Sequence, residues 1–461
     1  MNDVKNLKIA FIGGGSRGWA RNLMCDLAQE PALAGKVYLY DIDKDAAEKN
    51  AKIGNQLTVR EDVVGKWEYI ACDTSKECLE NADFVIMSIL PGTFDEMESD
   101  VHAPEKYGIY QSVGDTTGPG GCVRALRAVP IFYGYAKEIE KYCPNAWVIN
   151  FTNPMAMCVA ALYRGFPGIK AFGCCHEVFG TQEILAKVAD EKLGIKATRD
   201  DIKINVLGIN HFTWIDKASC KGHDLMPLYG EYIKDHPEGV SPDGGHWANG
   251  AFDTLELVKF DLYERYGVIA AAGDRHLAEF TPGRWYLSSP DRVAEMKFGL
   301  TPVSWRKEDL AWRIEVQNNR ANGEPFEFYE TGEESVRQMK ALLGLESFIT
   351  NVNMPNRGQM ENMPLGIIVE TNAFFGSDEV RPVCAGKLPY LVNSMVSRVA
   401  QNQEAIIDAA ISGDYELAFQ AFANDPNVNL SLKDARALFN EMLYNPRKYL
   451  PFYEEYAKTQ K

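Results

Sequence analysis

The feature that most restricts the fold is a glycine-rich turn between an apolar run and a helical pattern. Residues 7–12 (LKIAFI) lead directly into residues 13–18 (GGGSRG), and a helical pattern begins at Trp19. In a strand–turn–helix setting, G-x-G-x-x-G lets the backbone turn sharply and approach a pyrophosphate, whose charge is stabilised by the helix N-terminus. Glycine turns without a ligand are common, so the surrounding segments decide the interpretation.

Those segments support a dinucleotide site. A second apolar run, residues 36–40 (KVYLY), ends at Asp41, a position where a carboxylate would hydrogen-bond a ribose 2′-hydroxyl and repel a 2′-phosphate. Further β-type runs follow at residues 82–90 and 146–151, with helical patterns between them. This alternation predicts an α/β fold with a Rossmann-like, doubly wound parallel sheet that binds NAD rather than NADP.

The length of 461 residues predicts two domains. We expect an NAD-binding domain over residues 1–200 and a second α/β (α+β) domain over residues 201–461, for substrate and metal binding and for oligomerisation. Helical patterns follow residue 386, with an apolar stripe that includes Val392, Val396 and Val399, and further helices are predicted at 402–412, 415–424 and 433–443. Such a stripe packs on the core or on a second subunit, so a homodimer or homotetramer is expected.

Charge and composition exclude several kinds of partner. The formal net charge of −16 argues against nucleic acid and anionic membrane surfaces. No apolar stretch approaches the roughly 20 residues of a transmembrane helix, and the N-terminus lacks a signal-peptide pattern. The ten cysteines are therefore expected to be reduced thiols in a cytoplasmic protein.

Four polar segments are candidates for the chemistry. Residues 108–127 are glycine-rich and contain Asp115, which suits an N-cap and a substrate loop equally well. Cys175 and His176 follow an apolar run, and His211 follows another at residues 202–208. A thiol and an imidazole at two strand ends could anchor a divalent cation, although a buried structural Cys or His is the commoner case for each alone. Residues 270–285 contain Asp274, His276 and Glu279, which suit either a capped helix start or a site.

Taken in order, these motifs resemble glycoside hydrolase family 4, whose members are NAD- and divalent-metal-dependent glycosidases with a dehydrogenase-like fold. The resemblance covers most of the chain, and the segments that carry it are 13–18, 104–108, 114–116, 118–121, 150–155, 175–176, 208–211 and 353–370. Residues 175–178 (CHEV) resemble the subgroup that cleaves α-galacturonides. Other Cys-His variants accompany α-galactosidases, α-glucosidases and α-glucuronidases, which stay as alternatives.

The resemblance implies a role for several residues. Cys175 and His211 would bind Mn²⁺, Asn153 and Asp115 would contact the sugar, and His176 would assist the leaving group as an acid. NAD would be held by Gly13, Gly15, Ser16, Gly18 and Asp41. Phospho-sugar members use a tyrosine to remove the proton at carbon 2, whereas here Asp274 is the predicted base, with His276 and Tyr266 as rivals. Arg284 and Arg357 are candidates for the galacturonide carboxylate.

The implied reaction is a redox-assisted elimination. NAD⁺ takes hydride from carbon 3, the leaving group departs after loss of the carbon 2 proton, water adds, and NADH returns the hydride. One rival interpretation is a dehydrogenase of the lactate or malate type, which would need no metal and would consume NAD. Another is a non-catalytic NAD-binding sensor.

Overall fold

The computed structural model describes residues 4–241, 250 and 252–459, and within them two β-sheets organise the chain. The larger sheet has nine strands in the order β13-β12-β11-β6-β5-β4-β1-β2-β3, and the smaller sheet contains β7 to β10. The strands are β1 (Val4–Ile12), β2 (Leu33–Tyr40), β3 (Lys66–Ala71), β4 (Phe84–Met87), β5 (Trp147–Asn150), β6 (Lys170–Gly173), β7 (Ile202–Ile209), β8 (Phe212–Cys220), β9 (His223–Asp224), β10 (Ile269–Ala270), β11 (Phe348–Pro355), β12 (Ile368–Gly376) and β13 (Glu379–Pro382).

The first six strands form the predicted parallel, doubly wound sheet. They are ordered 3-2-1-4-5-6, and every neighbouring pair among them is parallel. This order reverses at β1, and ligands bind beyond the carboxyl ends of the strands at such a switch point. The glycine-rich turn follows β1 directly, so the α/β prediction and the placement of the turn are confirmed.

Strands from the second half of the chain extend the same sheet. β11, β12 and β13 are antiparallel to one another, and β11 joins the parallel strands through Asn353 opposite Gly173 on β6. The sequence prediction did not include this mixed extension. The predicted domain boundary at residue 200 stays a prediction.

The smaller sheet begins with a tight hairpin between β7 and β8. Ile209 pairs with Phe212, so only Asn210 and His211 form the turn. His211 has a φ of +63°, a left-handed conformation that is uncommon for a residue with a side chain. The hairpin therefore holds His211 at a defined position at the end of β7.

Helices cover both faces of the larger sheet. They are α1 (Trp19–Ala28), α2 (Lys44–Thr58), α3 (Ser75–Leu79), α4 (Phe94–His102), α5 (Gly118–Tyr142), α6 (Met155–Gly165), α7 (Glu177–Leu193), α8 (Met226–Asp235), α9 (Leu257–Tyr266), α10 (Asp274–Phe280), α11 (Pro290–Glu295), α12 (Val303–Ala321), α13 (Ser335–Leu342), α14 (Tyr390–Ser412), α15 (Tyr415–Ala423), α16 (Leu432–Tyr444) and α17 (Tyr453–Thr459). No described helix is long and apolar enough to cross a lipid bilayer.

The C-terminal helices differ from the sequence prediction in one respect. The segment predicted as separate helices before and after residue 400 is the single helix α14, because it contains neither glycine nor proline to interrupt it. Val392, Val396 and Val399 are buried on this helix, which packs against α5, α6 and α15. These three positions of the apolar stripe therefore pack within the chain, whereas Leu391 of the same stripe is exposed.

Helix α12 connects the two halves of the molecule. It packs against α4 and α2, and Gln317 donates a 2.7 Å hydrogen bond to Asn50 Oδ1 of α2. Asn50 in turn donates to the carbonyl oxygens of Gly14 and Ser16. Helix α12 therefore lies beside the glycine-rich turn, although its residues come from the second half of the chain.

Candidate active site

The glycine-rich turn has the shape that a dinucleotide needs. Gly13 has a φ of +94°, and a Cβ there would lie 1.9 Å from the carbonyl oxygen of Ser88. Gly15 donates its N–H to Asp41 Oδ2 at 2.9 Å, and a Cβ on Gly15 would lie 2.9 Å from the same oxygen. Asp41 follows β2 and Ser88 follows β4, so the turn is enclosed by the ends of both neighbouring strands. These contacts leave room for backbone only, as a pyrophosphate-binding turn requires.

The turn also starts helix α1 without a charged cap. Ser16 Oγ accepts the backbone N–H of Trp19 at 3.1 Å, and Gly18 is the N-cap residue. The first turn of this helix contains no acidic residue. An anion at this N-terminus would therefore meet the positive end of the helix without repulsion from the helix itself.

A second group of side chains has the composition of a cation site. Oxygen or nitrogen atoms of Asp115, His211 and His276 all lie within 4.8 Å of one another, and we call these three residues the Asp–His–His cluster. His211 is buried, and the other two are partly buried. Carboxylate and imidazole ligands suit Mn²⁺ and similar divalent ions.

Hydrogen bonds orient both imidazoles toward the shared space. The Nδ1 of His276 lies 3.3 Å from Glu177 Oε1, and Glu177 also accepts the N–H of Gly273. The Nε2 of His276 is buried and has no hydrogen-bond partner among the described residues. Because the carboxylate fixes the proton on Nδ1, Nε2 keeps a lone pair for a cation.

His211 is oriented in the same way by a hydroxyl group. Thr116 Oγ1 donates to Asp115 Oδ1 at 2.7 Å, and it lies 3.2 Å from Nδ1 of His211. Since that hydroxyl proton is already directed to Asp115, Thr116 accepts from Nδ1 and leaves Nε2 of His211 free. The rings of His211 and His276 are stacked with centroids 3.7 Å apart.

The loop that carries Asp115 is held by helix α10. Glu279 Oε1 accepts the N–H groups of Val113 and Gly114 at 2.7 and 2.9 Å. His276 lies one helical turn before Glu279, so the same short helix positions both Asp115 and one of its partners. Burial raises the pKa of Glu279 to about 7 despite these hydrogen bonds.

The charge states of Asp115 and His211 are those a cation needs. Burial raises the pKa of Asp115, but Arg124 and the two histidines outweigh it and lower that pKa to about 2. Burial, followed by the charge of His276, lowers the pKa of His211 to about 3. Asp115 is therefore ionised and His211 is neutral at physiological pH, which are the forms that bind metals. The pKa of His276 is lowered by burial but raised overall by Glu177.

The predicted sugar contact Asn153 lies against this cluster. Its Nδ2 donates to Asp115 Oδ2 at 3.3 Å, while its Oδ1 is buried without a hydrogen-bond partner among the described residues. Its carbonyl oxygen accepts from Arg124 Nε at 3.1 Å. The peptide bond between Asn153 and Pro154 is cis. Asn153 therefore presents a free amide oxygen beside Asp115.

Cys175, a predicted cation ligand, does not belong to the Asp–His–His cluster as the structure places it. Its carbonyl oxygen accepts from Asn351 Nδ2 at 3.2 Å, and burial raises the pKa of its thiol well above the usual value. Asn351 also donates to Glu370, which accepts from Asn210, the residue before His211. This network of amides and one carboxylate links the Cys175 segment to the hairpin of His211.

The two predicted acid–base residues face different surroundings. The ring of His176 is 57% exposed, and its Nδ1 lies 3.3 Å from Glu333 Oε1, which raises the pKa of His176. Asp274 is buried, and its oxygens accept the N–H groups of Val258 and Lys259 at the start of α9. Burial, followed by the charge of Glu256, raises the pKa of Asp274 to about 7.

Two of the other candidates contact residues outside the Asp–His–His cluster. Tyr266, a rival for the base, packs its ring edge-on against Trp214. Arg284 hydrogen-bonds the Asn429 side-chain oxygen at 2.8 and 3.0 Å when that amide is oriented toward it, and Arg357 is exposed. His276 was expected only as a rival base, and Asp115 only as a sugar contact. Their shared position with His211 depends on a loop, a hairpin and a helix that are distant in sequence.

Comparison with protein families matches this architecture to one family over most of the chain. Residues 8–191 match the "Family 4 glycosyl hydrolase" model, and residues 206–428 match the "Family 4 glycosyl hydrolase C-terminal domain" model. The chain is a family 4 glycosyl hydrolase. The resemblance stated from the sequence motifs is thus confirmed.

Individual relatives agree with that assignment. This family 4 chain is 61% identical to an alpha-galacturonidase of Thermoanaerobacterium saccharolyticum over 97% of each chain. It is also similar to the crystal structure of a putative glucosidase from Bacillus subtilis, with a TM-score of 0.91 and 51% identity over 95% of this chain and 100% of that one. A 6-phospho-alpha-glucosidase from gut microorganisms, in complex with NAD and Mn²⁺, shares the fold with a TM-score of 0.78 and 20% identity over 97% of this chain and 99% of that chain.

Proposed function

We propose that this family 4 enzyme hydrolyses α-galacturonides with the help of NAD and a divalent cation such as Mn²⁺. The observation that carries the proposal is the 61% identity to an alpha-galacturonidase over 97% of both chains. The match extends over nearly the whole length of both proteins. Cytoplasmic location and a homodimeric or homotetrameric assembly stay predictions.

The proposed cofactor residues fit their groups. NAD would be held by the turn of Gly13, Gly15, Ser16 and Gly18, with Asp41 on the ribose, because that turn admits only backbone. The cation would be held by the Asp–His–His cluster, because one carboxylate and two imidazoles converge there and Nε2 of His276 has no other partner among the described residues. Cys175, predicted from the sequence as a ligand, would join from the adjacent segment.

The chain's own residues would then bind the sugar and move protons. When bound, NAD⁺ and the cation supply a transient oxidation at carbon 3 and polarisation of the carbonyl so formed. The free Oδ1 of Asn153 would accept a sugar hydroxyl beside Asp115. The hydrogen bond to Glu333 raises the pKa of His176 and so favours the protonated imidazole, the form that a proton donor to the leaving group needs.

We propose Asp274 as the base that removes the proton at carbon 2. It lies on α10 two residues before His276, and its pKa of about 7 suits proton transfer near neutral pH. Asp274→Asn is expected to lower kcat by about 100-fold or more. Its oxygens also hold the start of α9, so melting temperature is measured in parallel. An unchanged kcat with a lower melting temperature would contradict the assignment.

The proposal is tested by measuring p-nitrophenol release from p-nitrophenyl α-galacturonide with NAD⁺, Mn²⁺ and a thiol each present or omitted. We expect activity only with NAD⁺ and Mn²⁺, without net formation of NADH. A dehydrogenase would accumulate NADH, and a non-catalytic NAD-binding protein would release no nitrophenol. Hydrolysis in the absence of both additives would contradict the proposed mechanism.

A further inference from the structure

Among the described residues, Arg124 and Arg306 have no carboxylate partner, whereas the neighbouring Arg127 has one. Arg127 on α5 is fully buried, and its guanidinium makes hydrogen bonds to both carboxylate oxygens of Asp100, as a buried cation requires. Arg124, one turn earlier on α5, and Arg306 on α12 have no carboxylate within ion-pair distance in the part of the chain that the structure describes.

Arg124 lies two hydrogen bonds from the cluster. It is only 7% exposed, and its single hydrogen bond to a described residue runs from Nε to the carbonyl oxygen of Asn153. Asn153 Nδ2 donates to Asp115. The two terminal nitrogens of Arg124 therefore carry a delocalised positive charge beside the proposed sugar site, with no acceptor among the described residues.

Arg306 on α12 is the second arginine near this region, since the charges of Asp115 and Arg124 both act on its pKa. Its Nε is buried and has no hydrogen-bond partner among the described residues. Its guanidinium carbon lies 5.0 Å from the ring centre of Phe252, and that of Arg275 lies 4.7 Å from the same ring centre. Arg275 is the residue before His276, and the charge of Asp115 acts to raise the pKa of Arg306, so Arg306 lies near the cluster.

The guanidinium of the neighbouring Arg275, in contrast, has hydrogen-bond acceptors. Its Nε donates to the carbonyl oxygen of Gly299, and its terminal nitrogen donates to Ser112 O and Thr301 Oγ1. Burial lowers the pKa of Arg306, and the nearby charge of Asp115 offsets only part of that effect. Arg306 therefore bears a desolvated charge without the hydrogen bonds that compensate Arg275.

A partly buried guanidinium without an acceptor is unfavourable unless a ligand supplies one. The planar fork of an arginine matches a carboxylate, and two forks can enclose it from both sides. The pyrophosphate side of the site has its own arginine, because a Cβ on Gly18 would lie 3.4 Å from Nη1 of Arg313. Arg306 lies two helical turns before Arg313, about 10 Å along α12.

We propose that Arg124 and Arg306 together bind the carbon 6 carboxylate of the sugar and so select galacturonides over galactosides. This rests on the proposed function, since only a uronic acid presents that group. It replaces Arg284 and Arg357 as the residues expected to contact the carboxylate. Arg306 is a specificity residue, whereas Arg124 also supports the Asn153 loop.

The test compares Arg306→Gln with the wild-type enzyme on p-nitrophenyl α-galacturonide and p-nitrophenyl α-galactoside, with NAD⁺ and Mn²⁺ present. We expect kcat/KM for the galacturonide to fall by about 10- to 100-fold, mainly through KM, because a charge-assisted contact is lost. The value for the neutral galactoside should stay within about twofold or rise. Arg306→Lys should recover part of the galacturonide activity, since it restores the charge but not the fork.

Lys307→Gln is the matched control. It removes one positive charge from the adjacent position of α12, but Lys307 is ion-paired with Asp95 and Glu98. We expect the ratio of the two kcat/KM values to stay at the wild-type level in this variant. A shift as large as that of Arg306→Gln would show that the effect is long-range charge rather than contact, and would overturn the proposal.

Binding measurements separate the remaining outcomes. Equal losses on both substrates together with a weaker NAD⁺ dissociation constant would assign Arg306 to the cofactor and overturn the proposal. A wild-type enzyme that cleaves galacturonides, with a selectivity that Arg306→Gln leaves unchanged, would refute the arginine pair alone. A wild-type enzyme that prefers the galactoside would refute the proposed function and the arginine pair together.

Discussion

The glycine-rich turn and the Asp–His–His cluster serve the same proposed reaction but are built in opposite ways. The turn and Asp41 come from one β-α-β unit. The backbone N–H of Gly15 donates to the Asp41 carboxylate, and the turn has no room for side chains at Gly13 and Gly15. The cluster brings together the loop before α5, the β7–β8 hairpin and helix α10. Its partners are side chains held by further side chains such as Glu177, Thr116 and Glu279.

The difference shows how each site tolerates change. A backbone site fails when a side chain is added, because nothing in the enclosed turn can move aside. A site of converging side chains fails when a ligand is removed, and it weakens gradually when a supporting residue changes. Substitutions in the two regions should therefore impair different binding events.

The largest effect is expected from His211→Ala. Loss of an imidazole whose free nitrogen faces the cluster should reduce Mn²⁺ affinity and lower kcat by about 10³-fold, because cation stabilisation of developing charge is lost. NAD⁺ affinity should change little. Mn²⁺ and NAD⁺ binding are measured by calorimetry, and turnover by nitrophenol release.

A control and a comparison sharpen this experiment. His236→Ala removes a histidine whose Nε2 lies 2.8 Å from Glu191 on the surface, so Mn²⁺ binding should be unchanged. Cys175→Ser should weaken Mn²⁺ binding if the thiol joins the cluster when the cation is present. Wild-type Mn²⁺ affinity in His211→Ala would contradict the assignment of the cluster.

A smaller effect, on NAD⁺ binding rather than on Mn²⁺ binding, is expected from Gly15→Ala. The added Cβ would lie 2.9 Å from the Asp41 carboxylate and from Cβ of Ala46, so the turn must shift. Overpacking of this kind costs about 1–3 kcal/mol, which, if it falls on the bound state, corresponds to NAD⁺ binding weakened about 5- to 150-fold. Mn²⁺ binding should be retained.

Gly134→Ala is the matched substitution for that variant. Gly134 lies within α5, and a Cβ there would meet no atom within 4 Å, so NAD⁺ affinity should be unchanged and stability slightly higher. If Gly15→Ala binds NAD⁺ as tightly as Gly134→Ala does, the enclosed turn is not the dinucleotide site.

The smallest effect concerns pH and the support of the Asp115 loop. Burial raises the pKa of Glu279 to about 7, so the folded protein holds a proton that the unfolded chain releases above its ordinary value of 4.5. This contribution to stability is full at low pH and is lost as the pH rises toward and past 7. Glu279→Gln should remove roughly 2–3 kcal/mol of that pH dependence between pH 5 and pH 8.

Urea unfolding of the metal-free enzyme at pH 5 and pH 8 measures this effect. The wild-type free energy of unfolding should fall more between the two pH values than that of Glu279→Gln, whose amide oxygen can still accept from Val113 and Gly114. An identical change in both proteins would show that Glu279 does not titrate in this range.

The same contrast explains which features could be predicted from the sequence. The parallel sheet, the turn and Asp41 follow local patterns of apolar runs and glycine spacing, so their positions were predicted correctly. The antiparallel strands β11 to β13 were missed, because their pairing with β6 joins segments far apart in the chain. His211 was singled out because it follows a strand directly.

Long-range contacts limited the prediction of the cluster. Asp115 and His276 were noticed in polar segments, but their meeting with His211 depends on Glu279 and on the hairpin geometry. Nothing local in the sequence distinguishes Arg124 or Arg306 from a surface arginine. That these two arginines have no carboxylate acceptor among the described residues can be recognised only from the folded structure.

The central claim is that cleavage proceeds through transient oxidation of the sugar, and a label at carbon 2 tests it most directly. A galacturonide that carries deuterium at carbon 2 is turned over in ordinary water with NAD⁺ and Mn²⁺, and the product is analysed by mass spectrometry and NMR. We predict that the deuterium is lost to solvent in the product while NAD⁺ is not consumed. Complete retention of the label would contradict the mechanism.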